Sequence, residues 1–261
     1  MAIVFFDLDR TTWDDNMNTP ESTITAIQKL HQNGHLAFIC TGRARANVPD
    51  EEILRIGFDG IVCACGNYIE KEGKVLYNHL LDKELNAKAI KVFKKYKLPV
   101  VFEGPKYHWF NPEDFRSYNF MKMLWDRMGD RAKPYQDFKP EYEVNKYTVD
   151  IMPASDYEGA IEELQPYMSF IMHEDTAIEF IPKGTSKAVG IRKTCKLLNI
   201  PHEETYALGD GPNDVDMLKD AAHGICMGNG VTVAKAVADY ITTSIENDGV
   251  YNAMKHYNLI K

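Results

Sequence analysis

The amino-acid sequence predicts an α/β protein with a doubly wound, Rossmann-like parallel sheet as its core and a second, α+β domain inserted into the chain. Two observations predict this class. Residues 1–81 alternate short apolar strands with helices, and the alternation resumes over residues 183–261, as in a parallel sheet covered by helices. Residues 82–182 instead carry short aromatic runs, helices and isolated strands. We therefore expect one core domain formed by 1–81 and 183–261, and an inserted domain formed by 82–182.

The first strand and helix are predicted by an apolar run and by a helix-start signal. The run Ile3–Phe6 is continuous, apolar and bounded by polar residues, which is typical of a buried parallel strand. Thr19 is expected to cap the following helix, with Pro20 at its first position and Gly34 at its end. The next apolar run, Leu36–Cys40, predicts the second strand.

The remainder of the core region continues the alternation. A helix is expected to end near Gly57, followed by a strand over Gly60–Cys63 and by a hairpin that turns at Lys71–Gly73. After residue 182 the expected elements are two helices, over Thr185–Leu198 and Val231–Val237, and two strands, over Tyr206–Leu208 and Gly224–Met227.

The inserted region has a different pattern of predicted elements, a mixture of helices and strands. Its expected elements are helices over Ala87–Tyr96 and Tyr157–Leu164, a helical stretch through Phe120, Met121 and Leu124, and strands over Val100–Phe102, Lys146–Met152 and Ala177–Ile181.

Composition excludes several classes of protein. The chain has 261 residues, 44% of them hydrophobic and 26% charged, which is ordinary for a globular protein. A net charge of −8 argues against a nucleic-acid-binding face. No apolar run approaches the ~20 residues of a membrane span, and the N-terminus enters a strand without a signal peptide. We expect a cytoplasmic protein, a monomer or a small homo-oligomer, with no nucleic-acid or membrane partner.

Two carboxylates follow the first strand directly. Asp7 and Asp9 are one residue apart at the carboxyl end of that strand, where open α/β sheets place their ligands. Alternating side chains put both carboxylates on one side, which is unfavourable unless a cation or a proton is shared. The pair suggests a metal site, and the alternative is that the two residues only cap a helix or form a turn.

Three later segments add to this signal. Thr41-Gly42-Arg43 follows the second strand, Lys187 opens a helical stretch after Gly184-Thr185-Ser186, and Gly209–Asp214 follows the strand at Tyr206–Leu208. Each is a strand end or a helix start that carries a phosphate-binding donor, a cation or a carboxylate. The ordered set is far more specific than any one member.

The four segments resemble the ordered motifs of the haloacid dehalogenase superfamily, in particular its Cof-type, sugar-phosphatase-like branch with a large α/β cap. The family pattern is Asp-x-Asp-Gly-Thr, Ser/Thr-Gly-Arg, a lysine, and Gly-Asp-Gly-x-Asn-Asp. The matching residues are Asp7, Asp9 and Thr11, then Thr41 to Arg43, then Lys187, then Gly209 to Asp214. The segment Met227–Gly230 also resembles a recurring family segment.

Two positions depart from the family pattern. Arg10 replaces the glycine between the second aspartate and the threonine, and Cys65-Gly66-Asn67 stands where relatives usually have Asn-Gly-Ala. An arginine at position 10 implies either an ordinary φ or backbone strain.

The resemblance implies a magnesium site and a cap. Mg²⁺ would be bound by Asp7, by the backbone carbonyl of Asp9 and by Asp210, and hard oxygen ligands suit that ion. Asp214 and Asn213 would orient these ligands and Lys187, and Asn213 is also counted among the substrate-binding residues. The inserted domain would be the cap that selects the substrate.

The resemblance also implies roles in phosphoryl transfer. Asp7 would attack phosphorus and form an aspartyl-phosphate, and Asp9 would protonate the leaving alcohol and then take a proton from water. Thr41 and the amide of Gly42 would hold phosphoryl oxygens, while Lys187 would bind substrate and neutralise transition-state charge. Thr11 is expected to hydrogen-bond near Asp9 and to fix its direction.

Simpler structural interpretations stay open for several residues. Lys187 could be a solvated surface lysine, and Asp214 could only cap a helix that starts near Val215. In the inserted domain, His173, His108 and Trp109 could contact substrate or belong to that domain's core.

The expected function is a Mg²⁺-dependent phosphatase acting on a small phosphomonoester, above all a hexose or related sugar phosphate. One alternative is a phosphomutase, which would have to shield the phosphoenzyme from water. Another is a non-hydrolytic phosphosugar-binding or regulatory module, suggested by Arg10 beside the nucleophile.

Overall fold

The computed structural model of the chain describes residues 1–173 and 176–261 and divides into two compact units. The first contains residues 1–42, 49–77 and 185–261, and the second contains residues 43–48 and 78–184. Residues 43–48, 78–81 and 183–184 thus group with the second unit, whereas the sequence pattern placed them in the core. The predicted α/β class is confirmed by the parallel sheet of the first unit.

Fourteen strands and nine helices are found in the described residues. The strands are β1 Ile3–Phe6, β2 Leu36–Cys40, β3 Gly60–Cys63, β4 Tyr68–Lys71, β5 Lys74–Asn78, β6 Val100–Glu103, β7 His108–Trp109, β8 Ala132–Lys133, β9 Lys146–Asp150, β10 Met168–His173, β11 Ala177–Pro182, β12 Thr205–Gly209, β13 His223–Cys226 and β14 Tyr240–Ile241. The helices are α1 Glu21–Gln32, α2 Asp50–Ile56, α3 Lys83–Lys95, α4 Tyr118–Met128, α5 Tyr157–Leu164, α6 Lys187–Leu198, α7 Val215–Asp220, α8 Thr232–Lys235 and α9 Gly249–His256. Across the described part of the chain, no helix combines the length and the apolar composition that crossing a lipid bilayer requires.

The sheet of the first unit sets the position of the motif residues. Its strand order is β14-β13-β12-β1-β2-β3-β4-β5. From β14 to β3 neighbouring strands run parallel, and β4 is antiparallel to β3. Because β12, β1 and β2 are neighbours and parallel, the residues that follow Gly209, Phe6 and Cys40 emerge together at one edge of the sheet.

Apolar burial holds this sheet against its helices. Ile3 and Phe5 pack in one buried cluster with Ile191 of α6 and Met217 of α7. Successive strand residues point to opposite faces, so Val4 and Phe6 face the other way. Burying one such side chain contributes about 1.5–3 kcal/mol, and all four residues of β1 are fully buried. The first motif therefore starts from a rigidly held strand.

The start of α1 differs from the expected cap. The helix begins at Glu21, and Pro20 lies outside it with φ −58° and ψ 142°. An extended ψ at Pro20 excludes it from the first helical position. Thr19 is buried, and its hydroxyl has no hydrogen-bond partner among the described residues. The predicted capping role of Thr19 is therefore wrong.

Two glycines set how closely α6 approaches the sheet. Gly66 has φ +85°, and a Cβ there would lie 2.8 Å from the backbone nitrogen of Gly190. A Cβ on Gly190 would lie 2.6 Å from a methyl of Val62 and 2.7 Å from Cα of Gly66. This contact between two backbones leaves no room for a side chain on either residue. The amino-terminal turn of α6 is thereby fixed against the loop after β3.

The second unit is built on a separate six-stranded sheet. Its order is β10-β11-β9-β6-β7-β8, and all pairs are antiparallel except β7 with β8. Phe102, Tyr147 and Phe180 point into one aromatic core with Phe93 of α3. Strand β10 was not among the strands that the sequence predicted. It lies at the edge of this sheet, where its apolar residues Phe170 and Met172 are exposed.

The residues that alternate with this aromatic core carry charge. Lys146 Nζ lies 2.7 Å from Glu179 Oε2 and 3.4 Å from Glu103 Oε1, and His173 Nε2 lies 3.1 Å from Glu179 Oε1. Burial disfavours the carboxylate of Glu179, but Lys146 and His173 outweigh it and lower its pKa to about 2. Thr148 donates a hydrogen bond to Glu103. We call Glu103, Lys146, His173 and Glu179 the charged network.

His108 lies beside this network and is fully buried. Its Nε2 is 3.9 Å from Glu103 Oε2, and neither ring nitrogen has a hydrogen-bond partner within residues 1–173 and 176–261. Burial, followed by the charges of Lys146 and Arg131, lowers the pKa of His108 to about 3. The imidazole is therefore neutral in the folded protein at pH 7.

We expect His108 to make the protein sensitive to acid. Its pKa in the unfolded chain is about 6.5, so between pH 6.5 and 3 the unfolded state binds a proton that the folded state does not. The free energy of unfolding should then fall with decreasing pH, by at most about 1.4 kcal/mol per pH unit. Urea unfolding between pH 7 and 4.5 should show a weaker pH dependence in His108→Leu than in the wild type. His202→Leu, at an exposed histidine, should keep the wild-type slope, and equal slopes in all three proteins would contradict this role.

Candidate active site

Asp7 lies directly beyond β1 and is held by its backbone. Its amide donates to the carbonyl of Leu208 at 2.9 Å, which continues the parallel ladder with β12. Its own carbonyl accepts a 2.6 Å hydrogen bond from the hydroxyl of Thr12. The chain then turns tightly, because the carbonyl of Leu8 accepts from the amides of Thr11, Thr12 and Trp13. Asp9 and Arg10 form the exposed tip of this turn, which we call the nucleophile turn (residues 8–13).

Asp210 and Asp214 lie at the end of the neighbouring strand β12. One oxygen of Asp214, Oδ2, accepts from the amides of Asp210 at 2.9 Å and Gly211 at 2.8 Å. The Asp214 side chain folds back over the strand end, where a Cβ on Gly209 would lie 2.6 Å from Cβ of Asp214. Glycine at position 209 is therefore required by this close approach. Asp214 does not cap α7 with its side chain, so that interpretation is wrong.

Lys187 reaches the same place from α6. It is the first residue of the helix, whose amino terminus is capped by Ser186 through a hydrogen bond from the Val189 amide. Its Nζ lies 2.5 Å from Asp7 Oδ1 and 2.6 Å from Asp214 Oδ1. The side chain is only 1% exposed, so the surface-lysine interpretation is wrong. A single buried ammonium thus joins the strand β1 motif to the strand β12 motif.

The three carboxylates of Asp7, Asp210 and Asp214 converge around this ammonium. All are buried, and one oxygen from each lies within 4.8 Å of the others. Burial, followed by the charge of Asp214, raises the pKa of Asp7 well above its usual value. The same two causes raise the pKa of Asp210 to about 6. For Lys187, burial disfavours the charged form, but Asp214 and Asp7 outweigh it and raise its pKa.

This cluster fits a hard divalent cation. One ammonium faces three buried carboxylates. Burial, followed by the charge of Asp214, raises the pKa of both Asp7 and Asp210, and a cation bound between these carboxylates would favour their charged forms. Oxygen-only ligands are those that Mg²⁺ prefers. Both oxygens of Asp214 are engaged with Lys187 and with backbone amides, so Asp214 is better suited to orient the group than to bind an ion.

The other residues singled out in the sequence have the following positions. Asp9 is exposed at the tip of the nucleophile turn, and its charge contributes to the raised pKa of Asp7. Thr41 is buried at the end of β2, where its amide donates to the carbonyl of Val62 at 2.8 Å. Gly42 follows it. Asn213 lies in the turn after β12, with its side-chain oxygen against Gly211.

Two hydroxyl contacts were not foreseen. Thr11 donates to Asp210 Oδ1 at 3.0 Å and thereby bridges the two aspartate-bearing loops; this contact is a different one from the predicted bond near Asp9. Thr12 was not singled out in the sequence, yet its hydroxyl fixes the Asp7 carbonyl. Threonines are common in turns, so no sequence signal identified which carboxylate or carbonyl each would contact.

Of the two alternatives for Arg10, an ordinary φ or backbone strain, the structure has the strained one. Its φ is +59°, in the left-handed region that usually favours glycine. Its Nε lies 3.6 Å from Asp15 Oδ1, and both side chains are largely exposed, so this ion pair contributes little to stability. Arg10 also slightly lowers the pKa of Asp210 through its charge.

The three candidates in the second unit have different environments. Trp109 is buried, stacks on Tyr142 with ring centroids 5.3 Å apart, and lines a cleft of about 720 Å³ formed within that unit. His108 is buried beside Glu103. His173 is the most accessible of the three, at 41% side-chain exposure.

Comparison with known proteins is consistent with this geometry. The family model described as haloacid dehalogenase-like hydrolase matches residues 4–254. The Bacillus subtilis (strain 168) protein named "Putative phosphatase YkrA" is 28% identical over 261 residues, covering 99% of this chain and 98% of that protein. The B. subtilis (strain 168) 5-amino-6-(5-phospho-D-ribitylamino)uracil phosphatase YitU is 25% identical, covering 98% of this chain and 97% of its own.

Among solved structures, the chain is similar to the HAD subclass IIB sugar phosphatase BT4131. The TM-score is 0.82 at 28% sequence identity, and the match covers 100% of both chains. The similarity thus extends over residues of both units.

Removing the Lys187 ammonium should destabilise the metal-free protein. In Lys187→Met the carboxylates of Asp7 and Asp214 stay buried without their cation, and breaking a buried pair in this way costs about 3–5 kcal/mol. Chemical denaturation in EDTA should show this loss in the free energy of unfolding. Lys196→Met, at an exposed position of the same helix, is the matched control. If both variants unfold at the same denaturant concentration, the ion pair does not stabilise the fold.

Proposed function

The chain belongs to the haloacid dehalogenase-like hydrolase family, and from that premise we propose that it is a Mg²⁺-dependent phosphatase of small phosphomonoesters, in the first place sugar phosphates. Phosphatase activity is supported by the family and by relatives that are named as phosphatases. The observation that carries the proposal is the buried Lys187 ammonium between Asp7 and Asp214. This ion pair supports the proposal because it joins the carboxylate proposed as the nucleophile, a cation and the carboxylate proposed to orient them.

Asp7 is the proposed nucleophile. Its carboxylate attacks phosphorus, the bond to the leaving oxygen breaks, and an aspartyl-phosphate forms on Asp7. The backbone of Asp7 is fixed by Leu208 and Thr12, so the carboxylate is held in place before substrate arrives. The Lys187 ammonium, 2.5 Å from Asp7 Oδ1, offsets the repulsion between this carboxylate and the phosphoryl oxygens.

Asp9 is the proposed general acid and base. It donates a proton to the leaving alcohol oxygen in the first step and so ends that step as a carboxylate. It can then accept a proton from the water that hydrolyses the aspartyl-phosphate. Its exposed place at the tip of the nucleophile turn leaves its carboxyl group accessible to a leaving alcohol in the first step and to water in the second.

Three residues are proposed to bind the phosphoryl oxygens. Thr41 and Gly42 follow β2, which neighbours β1 in the sheet, so their hydroxyl and amide emerge beside the strand that carries Asp7. Asn213 follows β12 on the other side of β1. Donors placed on both sides of the nucleophile could hold a phosphoryl group in line with it.

Asp7, the backbone carbonyl of Asp9 and Asp210 are the proposed Mg²⁺ ligands. When bound, the ion neutralises negative charge on the phosphoryl group and on the carboxylates around it. Thr11 holds Asp210 Oδ1 at 3.0 Å, and Asp214 holds the amide of Asp210 at 2.9 Å. These two residues fix the Asp210 side chain and backbone independently of the ion.

The second unit is proposed to be the cap that selects the substrate. The solved structure of BT4131 is described as that of a sugar phosphatase, and one member of the charged network here, His173, has an accessible imidazole that can hydrogen-bond to a sugar hydroxyl. His173 is the accessible end of that network. We therefore assign His173 a role in the choice among sugar phosphates and none in the chemical step.

Replacing the nucleophile should abolish turnover. Asp7→Asn keeps the size of the side chain but removes its negative charge, and we expect kcat to fall by at least about 10³-fold. Release of inorganic phosphate from p-nitrophenyl phosphate and from hexose phosphates is the measurement. Asp239→Asn is the control, because Asp239 accepts from the amide of Gly224 at the opposite end of β13. More than a few per cent of activity in folded Asp7→Asn would show that another group attacks phosphorus.

Magnesium should both activate and stabilise the protein. EDTA should remove activity and Mg²⁺ should restore it, and a hundredfold excess over Kd should stabilise the folded state by about 2.7 kcal/mol. Thermal unfolding of the wild type should therefore shift to higher temperature with Mg²⁺. The shift should be lost in Asp210→Asn and kept in Asp239→Asn. An unchanged wild-type melting temperature at millimolar Mg²⁺ would argue against this site.

Substitution at His173 should change substrate preference. His173→Ala should alter the kcat/KM ranking among sugar phosphates by roughly two- to tenfold, the scale of one hydrogen bond at about 0.5–1.5 kcal/mol. The rate with p-nitrophenyl phosphate, which offers no sugar hydroxyls, should change little. His202→Ala, at an exposed histidine of the first unit, should leave the ranking unchanged. Equal losses on every substrate would mean that the cap role is misassigned.

A further inference from the structure

The turn Met227–Gly230 is packed tightly against its neighbours. A Cβ on Gly228 would lie 2.6 Å from the backbone nitrogen of Ser244, and a Cβ on Gly230 would lie 2.9 Å from the carbonyl of Met227. Neither position has room for a side chain. The turn is also bonded to the residue that follows β12, because the amide of Val231 donates to the carbonyl of Asp210 at 2.9 Å. Asn229, between the two glycines, therefore projects from a rigid support.

The side-chain amide of Asn229 connects this support to the nucleophile turn. Its Oδ1 accepts from the amide of Ile245 at 3.0 Å, and its Nδ2 donates to the carbonyl of Arg10 at 2.8 Å. The backbone amide of Ile245 can only donate and the carbonyl of Arg10 can only accept. The two partners therefore fix which end of the Asn229 amide faces the turn.

The hydrogen bond from Asn229 is made to a residue, Arg10, whose backbone conformation is unfavourable. Arg10 has φ +59°, a conformation that is unfavourable for residues other than glycine and that persists where surrounding contacts impose it. Its side chain forms an ion pair with the exposed Asp15 at 3.6 Å. Arg10 directly follows Asp9, and one peptide group joins the two residues. A change in φ of Arg10 therefore also changes the position of Asp9.

We propose that Asn229 is a positioning residue that holds Arg10 in its left-handed conformation and thereby aims the carboxyl group of Asp9 at the leaving oxygen. This inference rests on the proposed function, in which Asp9 protonates the leaving group. Without the Asn229 bond, Arg10 can relax toward negative φ, and the tip of the nucleophile turn moves. Asp7 is anchored separately through Leu208, Thr12 and Lys187, so its attack should be less affected.

The inference predicts a specific kinetic signature. The constant kcat/KM reports steps up to departure of the leaving group. A leaving group that needs protonation should therefore suffer more from a misdirected Asp9 than one that departs without it. Phenyl phosphate and p-nitrophenyl phosphate form a suitable pair, because the two are similar in shape and differ in leaving-group basicity. Asn229→Ala should raise the ratio of kcat/KM for p-nitrophenyl phosphate over phenyl phosphate by at least tenfold.

A matched control separates positioning from general damage. The side-chain amide of Asn33 also donates to a backbone carbonyl, that of Leu259 at 2.7 Å, but it lies between α1 and the start of β2, at the opposite edge of the sheet. Asn33→Ala should leave the ratio unchanged. The proposal would be overturned if Asn229→Ala left the ratio of the two kcat/KM values unchanged, either because both values fall equally or because neither falls.

Arg10→Gly provides a test by rescue. Glycine adopts positive φ without strain, so the double variant Asn229→Ala/Arg10→Gly should return the ratio to within about threefold of the Arg10→Gly value. A merely structural role of Asn229 predicts no rescue, since glycine at position 10 restores none of the lost hydrogen bonds. Absence of rescue would overturn the role assigned to Arg10.

A readout that is independent of turnover distinguishes this inference from the proposed function. Hydrogen–deuterium exchange of a peptide covering residues 7–13 reports on the amides of Thr11, Thr12 and Trp13 bound to Leu8. Exchange should be at least tenfold faster in Asn229→Ala, should stay unchanged in Asn33→Ala and should recover in the double variant. If the wild type releases phosphate from neither substrate, the proposed function fails, and unchanged exchange would then overturn the positioning role as well.

Discussion

The site depends on one buried ammonium group. Lys187 Nζ lies within 2.6 Å of carboxylate oxygens from Asp7 and Asp214, which follow two different strands. A buried ion pair must overcome the desolvation of its members, and here two carboxylates share the ammonium. Because the three groups come from the residue after β1, from α6 and from the turn after β12, their placement depends on how closely α6 packs against the sheet.

That packing is set by residues that have no chemical role. Gly66 and Gly190 let α6 approach the loop after β3 so closely that either Cβ would collide with backbone. Gly209 leaves room for the Asp214 side chain at the end of β12. Cores at close-packed density tolerate little displacement, so these glycines determine where the ammonium of Lys187 is placed.

The same site contains a conformational exception at Arg10. Natural sequences accept a locally unfavourable residue where surrounding contacts fix it. Here the Arg10 carbonyl is bound by Asn229, which is itself held between two glycines that pack backbone on backbone. A departure from the family pattern in the first motif is thus linked to a residue more than two hundred positions later. That residue lies in Met227–Gly230, a segment for which the sequence indicated only a resemblance to a recurring family segment.

The sequence by itself determined the fold class, the bounds of several core strands and the convergence of the acidic motifs. Apolar runs such as Ile3–Phe6 and Gly60–Cys63 coincide with strands, because a buried parallel strand needs a continuous apolar run wherever it lies in the sheet. Parallel order then brings Asp7 and Asp210 to one edge. The sequence did not determine the start of α1, the exposed edge strand β10 or the placement of residues 43–48, since each depends on packing with distant segments.

Only the tertiary structure decided which partner each polar side chain has. From the sequence of its own helix alone, Lys187 would be interpreted as a surface lysine. It is buried because its ammonium pairs with the carboxylates of Asp7 and Asp214, which lie 180 and 27 residues away in the sequence. Thr11 contacts Asp210 where the local motif suggested Asp9, and Asn229 contacts Arg10. Hydrogen bonds and ion pairs act over about 3 Å, so long-range partners follow from the register of strands and helices, which the local residue pattern does not contain.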